Sequence, residues 1–229
     1  MKKPKGKFIT IEGCEGVGKS TQIALLKSYC AKNGIKAVFT REPGGTPIAE
    51  KIRNIILDPS CKEMDAFTEL LLYAASRRQH TYELIMPALE RGDYVFCDRY
   101  SDSTVAYQVY GRGLPIKVVE SVCLLASVGV EIDATIFLDL SPAKGLDRAA
   151  VRSTTDRIER EGIDFHRRVY QGFKEIAKNN LNRVCSIDAS RTSSDVHKKI
   201  IKALVAKGIF TNLETNSFAP FPTNDDNDL

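Results

Sequence analysis

The chain has 229 residues, about one and a half usual domain lengths, which favours one elaborated domain and excludes a large modular machine. At 43% hydrophobic and 27% charged residues it can bury a core, while its longest apolar runs, such as LLLYAA at 70–75, are too short to cross a bilayer, so no membrane partner is expected. Lysine and arginine outnumber aspartate and glutamate 33 to 29, a formal charge of +4; so small and evenly spread an excess argues against a nucleic-acid partner and suits an anionic small substrate.

Short apolar runs alternate with longer amphipathic stretches along the chain. The pattern predicts strand 7–12, helix 19–33 stopping at Gly34, strand 37–41, helices 48–57 and 64–91, strand 94–98 and helix 115–127. Strand 134–140, helices 142–151 and 163–180, strand 184–187 and helix 194–207 follow. The strands lack clear polar alternation, as expected when both faces are covered, so the class is α/β with a five-stranded parallel sheet. One domain is expected over 1–208, with a disordered tail over 209–229, where Pro, Asn and Asp dominate. The basic start lacks the apolar stretch of a secretory signal, so a cytoplasmic protein is expected. Cysteines at 14, 30, 61, 97, 123 and 185 form no CxxC pair and are expected to be reduced, mostly buried thiols.

The segment Gly13-Cys14-Glu15-Gly16-Val17-Gly18-Lys19-Ser20-Thr21 fits G-x-x-x-x-G-K-[ST] between a predicted strand and a predicted helix. Its glycines let successive N–H groups turn around an anion, and the helix start adds partial positive charge. Lys19 supplies a mobile cation, and Ser20 offers a hydroxyl to Mg²⁺ arriving with nucleotide phosphates. There is no N-K-x-D guanine-reading motif. Instead, Asp98 closes an apolar strand and is followed by Arg99. Beside the loop, Asp98 would hold a magnesium-bound water and Arg99 a second phosphate; a structural ion pair between the two is the competing reading.

The loop itself has no arginine at its variable positions, so further cations must come from elsewhere. Arg148, Arg152, Arg157 and Arg160 flank Ser153-Thr154-Thr155, a stretch that reads as a lid over about 147–161, or else as a solvated face, since acids interleave with the arginines. A carboxylate inside an anion loop is electrostatically odd, so Glu15 is expected to turn from ATP toward a sugar hydroxyl of a second substrate. A bulky adduct on Cys14 is expected to block nucleotide entry.

These motifs carry a resemblance. FITIEGCEGVGKSTQ, TREPGGTPIAEKIR, ELLLYAASRRQH, DRYSDSTVAYQVYGRGL and DRIEREGIDFHRRV are similar to segments of thymidylate kinases of the bacterial kind, over roughly 7–207. The resemblance implies a three-layer α/β/α P-loop fold, transfer of the γ-phosphoryl group of ATP to dTMP with Mg²⁺, and a homodimer, for which apolar helix faces around 70–75 are candidates. It also implies roles for particular residues. Lys19, Arg99, Glu15, Arg152 and Arg157 would be catalytic, with Arg148 beside ATP and with Ser20 and Asp98 serving the metal. Glu42, Pro43 and Arg53 would line the monophosphate pocket, Tyr73 would stack on the base where Phe is more usual, and Arg77 would read it. Ser103, Thr104, Tyr107 and Gln108 would meet base and sugar, Tyr107 excluding a 2′-hydroxyl. From spacing alone, Tyr73 and Arg77 share a helical face but would more often be core and surface. Another nucleotide or nucleoside kinase, or an ATP switch without catalysis, are the rival functions.

Overall fold

The computed structural model describes residues 6–149 and 156–211. Its strands are β1 (Lys7–Glu12), β2 (Ala37–Arg41), β3 (Tyr94–Asp98), β4 (Ala134–Asp139) and β5 (Val184–Asp188). They form one parallel sheet in the order β2-β3-β1-β4-β5. The helices are α1 (Lys19–Lys32), α2 (Pro47–Leu57), α3 (Ala66–His80), α4 (Met86–Glu90), α5 (Ser101–Thr104), α6 (Ile116–Ser127), α7 (Pro142–Ala149), α8 (Ile163–Asn179) and α9 (Ser193–Ala206).

Successive β1 residues go to opposite layers, which is why the strand reads as a continuous apolar run. Ile9 and Ile11 pack with Phe96, Ile136, Leu138 and the inner residues of α1, α8 and α9, such as Leu26, Val169, Phe173, Ile200 and Leu204. Phe8 joins Val95, Cys97, Tyr100, Ile85, Ala88 and Leu89 on the other face. The three-layer α/β/α arrangement follows. Because β3 lies next to β1, with Ile11 in register with Asp98, the carboxyl ends of both strands reach the same edge. That edge, where the chain leaves β1 toward one side and β3 toward the other, is where an open α/β sheet leaves a crevice.

Two departures from the sequence-based elements have local causes. The helix expected over 64–91 is interrupted by a π turn, Thr81–Ile85, after which Met86 N–H bonds to Thr81 O. Pro87, in the first turn of α4, has no N–H to continue an α ladder, and the wider turn absorbs it. No element was expected between 99 and 114, yet α5 runs on into a π segment, Val105–Gly111. Ser, Thr, Val and Tyr are weak helix formers, so this segment owes its form to burial of Ala106, Tyr107 and Gln108, with Tyr107 packed on Phe165 and Phe173.

The tail boundary also moves. Ile209 and Phe210 are buried, Tyr94 donates its hydroxyl to Ile209 O, and Phe210 packs against Tyr29 and Tyr94; positions 212–229 lie outside the described residues. Among the described residues no helix is long and apolar enough to cross a membrane. Cys14, Cys30, Cys97 and Cys123 are buried, and none of the six cysteines is in a disulfide.

Candidate active site

The loop 13–18 joins β1 to α1 at the crevice. Gly16 has φ 68°, and a Cβ there would meet the Gly145 carbonyl oxygen at 1.8 Å, so only glycine lets the loop lie against α7. Lys19 is buried and folds along the loop, its Nζ donating to Gly13 O at 3.1 Å and Cys14 O at 2.9 Å. Burial and the neighbouring Arg99 push its ammonium below the ordinary lysine value. Ser20 is exposed in the first turn of α1, and Asp98 Oδ1 is buried with no hydrogen-bond partner. An orphaned carboxylate oxygen and an exposed hydroxyl bordering the same cleft are a donor set that fits Mg²⁺.

Arg99 reaches the loop from the end of β3 and shares the Gly13 carbonyl with Lys19. Its backbone has φ 71°, an uncommon left-handed conformation for a residue with a Cβ, fixed because Arg99 N–H bonds to Ile11 O and Tyr100 N–H to Glu12 Oε1. Its guanidinium donates to Gly13 O (2.8 Å), to Ser103 Oγ (3.2 Å) and to the Glu15 carboxylate, and lies 5.2 Å from the centre of the Tyr107 ring. Tyr107 adds its hydroxyl to Glu15 at 3.1 Å. Burial opposes ionisation of Glu15, but Arg99, Lys19 and the Tyr107 hydroxyl outweigh it and hold the carboxyl down at about 2. Glu12, fully buried beneath, takes the Ser103 hydroxyl at 2.5 Å; burial and nearby Asp102 push it up to about 8.

Farther along the cleft, Arg53 Nη1 donates to Pro43 O at 2.7 Å, and burial together with Arg41 lowers its pKa. Two arginines held close with only part of their charge matched form a ready anion seat. Arg77 is almost fully buried, donating to Glu42 Oε2 at 2.8 Å and Thr104 Oγ1 at 2.9 Å over the Tyr100 ring. Tyr73 is half-buried one helical turn away, and burial and Glu69 raise its hydroxyl pKa. Lys19, Asp98, Arg99, Glu15, Tyr107, Arg53, Arg77 and Tyr73 border one continuous cleft of 1110 Å³.

The model of the family described as "Thymidylate kinase" matches residues 11–200. The chain belongs to the thymidylate kinase family. It is 44% identical to the thymidylate kinase of Deinococcus radiodurans over 89% of this chain and 98% of that one, and 49% identical to that of Halothermothrix orenii over 86% and 95%. A crystal structure of thymidylate kinase from Ehrlichia chaffeensis superposes with TM-score 0.72 at 33% identity, covering 87% of this chain and 98% of that one.

Of the residues singled out in the sequence, Glu15 through Thr21, Glu42, Pro43, Arg53, Tyr73, Arg77, Asp98, Arg99, Ser103, Thr104, Tyr107, Gln108 and Arg148 border the cleft. Arg157, expected among the catalytic lid arginines, is instead a buried anchor: its Nε donates to Ile56 O (2.9 Å) and its Nη2 to Glu69 Oε2 (2.5 Å). Glu69 also takes Gln108 at 2.8 Å and two bonds from Arg112, so this cation's charge is spent on a structural hub. Arg152 lies outside the described residues, as does the rest of 150–155 in the middle of the expected lid. Glu42, assigned to the monophosphate pocket, gives its carboxylate to Arg77 and His80. Cys14 is buried, as expected of most of the cysteines, and burial pushes its thiol up to about 12. Arg41, Asp156, Ala189, Arg191 and Ser193 also border the cleft and were missed. The last three follow β5, and the rule that ligands bind beyond the carboxyl ends of strands was the signal available for them.

Proposed function

We infer that this chain transfers the γ-phosphoryl group of ATP to the 5′-phosphate of dTMP, giving dTDP. The observation that carries the reading is one cleft lined by two cation sets, Lys19 of the loop and, from outside it, Arg99 and Arg53, with Lys19 and Arg99 meeting at the Gly13 carbonyl. A donor polyphosphate and an acceptor monophosphate repel each other, and such a pair of cation sets brings them end to end. The acceptor phosphate oxygen is already anionic at neutral pH, so no general base is needed.

Lys19 swings from the loop carbonyls onto the donor phosphates. Arg99 holds the acceptor phosphate while Glu15, with its charge secured, faces the sugar 3′-hydroxyl. Tyr107 fills the space a 2′-hydroxyl would occupy, Tyr73 stacks on the base and Arg77 donates to it, with Ser103, Thr104 and Gln108 around them. Asp98 and Ser20 would hold Mg²⁺, which when bound neutralises charge on the transferring phosphates. Arg148, which borders the cleft, belongs in this reading to the ATP side.

A homodimer belongs to the same reading. Leu71, Leu124 and Leu125 are exposed on α3 and α6, which pack together through Leu70, Val119 and Cys123, and Arg78 bridges to Leu125 O. An apolar patch of this kind suits an isologous contact, and a cytoplasmic location goes with the substrates. The test is to supply ATP with dTMP, dUMP, dCMP, AMP or thymidine and measure diphosphate formed. Rapid dTDP formation is expected; ATP consumption that dTMP does not accelerate would overturn the reading.

A further inference from the structure

His80 is the one fully buried histidine on α3, at its last residue, and the phosphoryl-transfer machinery does not use it. Burying an imidazole among polar partners costs desolvation that a leucine or phenylalanine would avoid, so its partners should explain it. They form a line. His80 Nδ1 is 3.1 Å from Glu42 Oε1, and its Nε2 is 2.7 Å from the Thr40 hydroxyl. Only the neutral tautomer with its proton on Nδ1 both donates to the carboxylate and accepts the hydroxyl. The other oxygen of Glu42 receives Arg77 Nε at 2.8 Å.

The TREPGGT loop is built to admit this ring. A Cβ on Gly45, at φ 91°, would stand 2.6 Å from His80 Nε2 and 2.7 Å from Thr40 Oγ1. Neighbouring Gly44 N–H is held by Ser76 Oγ at 3.1 Å, and Ser76, like Arg77 and His80, comes from the SRRQH end of α3. Two motifs far apart in sequence are thus a single unit.

We propose that His80 is a positioning residue for nucleobase selectivity: by fixing Glu42 it fixes the plane of Arg77, whose free donors meet the base. This rests on the reading above that Arg77 faces the base. A guanidinium offers only donors, so it accepts the carbonyl at position 4 of thymine and rejects the amino group of cytosine, provided it cannot tilt away. The line Thr40, His80, Glu42, Arg77 removes that tilt.

The experiment measures kcat and KM for dTMP and dCMP in the full-length enzyme. His80→Phe keeps the ring volume and loses both nitrogens; it should lower the dTMP-to-dCMP ratio of kcat/KM by about tenfold, mainly through KM for dTMP, as loss of a buried charge-assisted bond implies. His80→Asn places an amide N–H where Nδ1 stood and should restore most of the ratio. Thr40→Val should shift it the same way by a few-fold, and decides the matter if His80→Phe does not fold. A ratio unchanged in His80→Phe, or in Thr40→Val where that variant decides, overturns the proposal even if melting temperature falls, since a purely structural histidine would behave so. Arg77→Lys separates the two claims. If it collapses the ratio while the His80 and Thr40 variants do not, only the positioning role is lost; if it leaves the ratio intact, the base-facing assignment falls and this inference with it.

Discussion

Arg99→Ala is the sharpest perturbation of the site. The side chain is part-buried and makes three donations, to Gly13 O, Ser103 Oγ and the Glu15 carboxylate, so truncation removes a full charge from the point where the acceptor phosphate would sit. Loss of one preorganised donor to developing charge typically costs about 10²–10³ in kcat. Loss of a charge-assisted contact to the ground-state phosphate, about 1.5–3 kcal/mol, should raise KM for dTMP roughly 10- to 100-fold. Backbone strain does not confound the comparison, because alanine carries the same Cβ penalty at φ 71° that arginine does. A second signature follows from Glu15. Its carboxyl is held at about 2 against burial chiefly by Arg99, so in the variant it should rise and activity should gain an acid limb. The assay is coupled ADP release at saturating ATP with dTMP varied across pH, alongside a thermal melt. A kcat/KM within threefold of wild type, with the pH profile unchanged, would refute the role given to Arg99.

Glu69→Ala should destabilise the fold by about 3–5 kcal/mol in denaturant titration, because it strands the buried guanidinium of Arg157 and that of Arg112; a loss under about 1 kcal/mol would contradict the hub. Glu12 retains a proton in the folded state that the unfolded chain releases above its ordinary 4.5, so its burial should erode stability as pH rises from there to about 8; Glu12→Gln should flatten that interval in pH-dependent melting. His197 has the opposite sense: buried neutral with its pKa lowered to about 4, it contributes stability present above 6.5 and lost as pH falls toward 4, and His197→Leu should blunt that acid loss. Brief iodoacetamide treatment followed by mass mapping should label half-buried Cys61 and Cys185 ahead of Cys14, whose thiol is shielded and fully protonated.

The sheet was legible because its strands are covered on both faces, so Lys7–Glu12 and Tyr94–Asp98 stand out as apolar runs with sharp polar ends. The phosphate loop was legible because its chemistry is local: glycines, Lys19 and Ser20 act where they stand in sequence. The segment Ser101–Gly111 was not, since weak helix formers take helical form there only through contacts with α8 and the sheet. Arg157 misled for a related reason. A run of arginines between acids does not say which guanidinium meets phosphate, and only the position of Glu69, 88 residues away in sequence, shows where this one is anchored. Likewise, Glu42 borders the cleft, but nothing local reveals that Arg77 and His80 divide its two oxygens.

The meeting of two anions across Lys19 and Arg99 is best tested with a single molecule that carries both. A dinucleotide joining adenosine and thymidine through their 5′ positions by a five-phosphate chain should compete with ATP and with dTMP alike, and should bind roughly 10²–10⁴ times more tightly than either nucleotide in calorimetry, since the second half binds intramolecularly. Arg99→Ala and Lys19→Ala should each remove much of that gain. Competition with ATP alone, at an affinity no better than that of ATP, would mean that the acceptor does not lie where Arg99 and Arg53 are held.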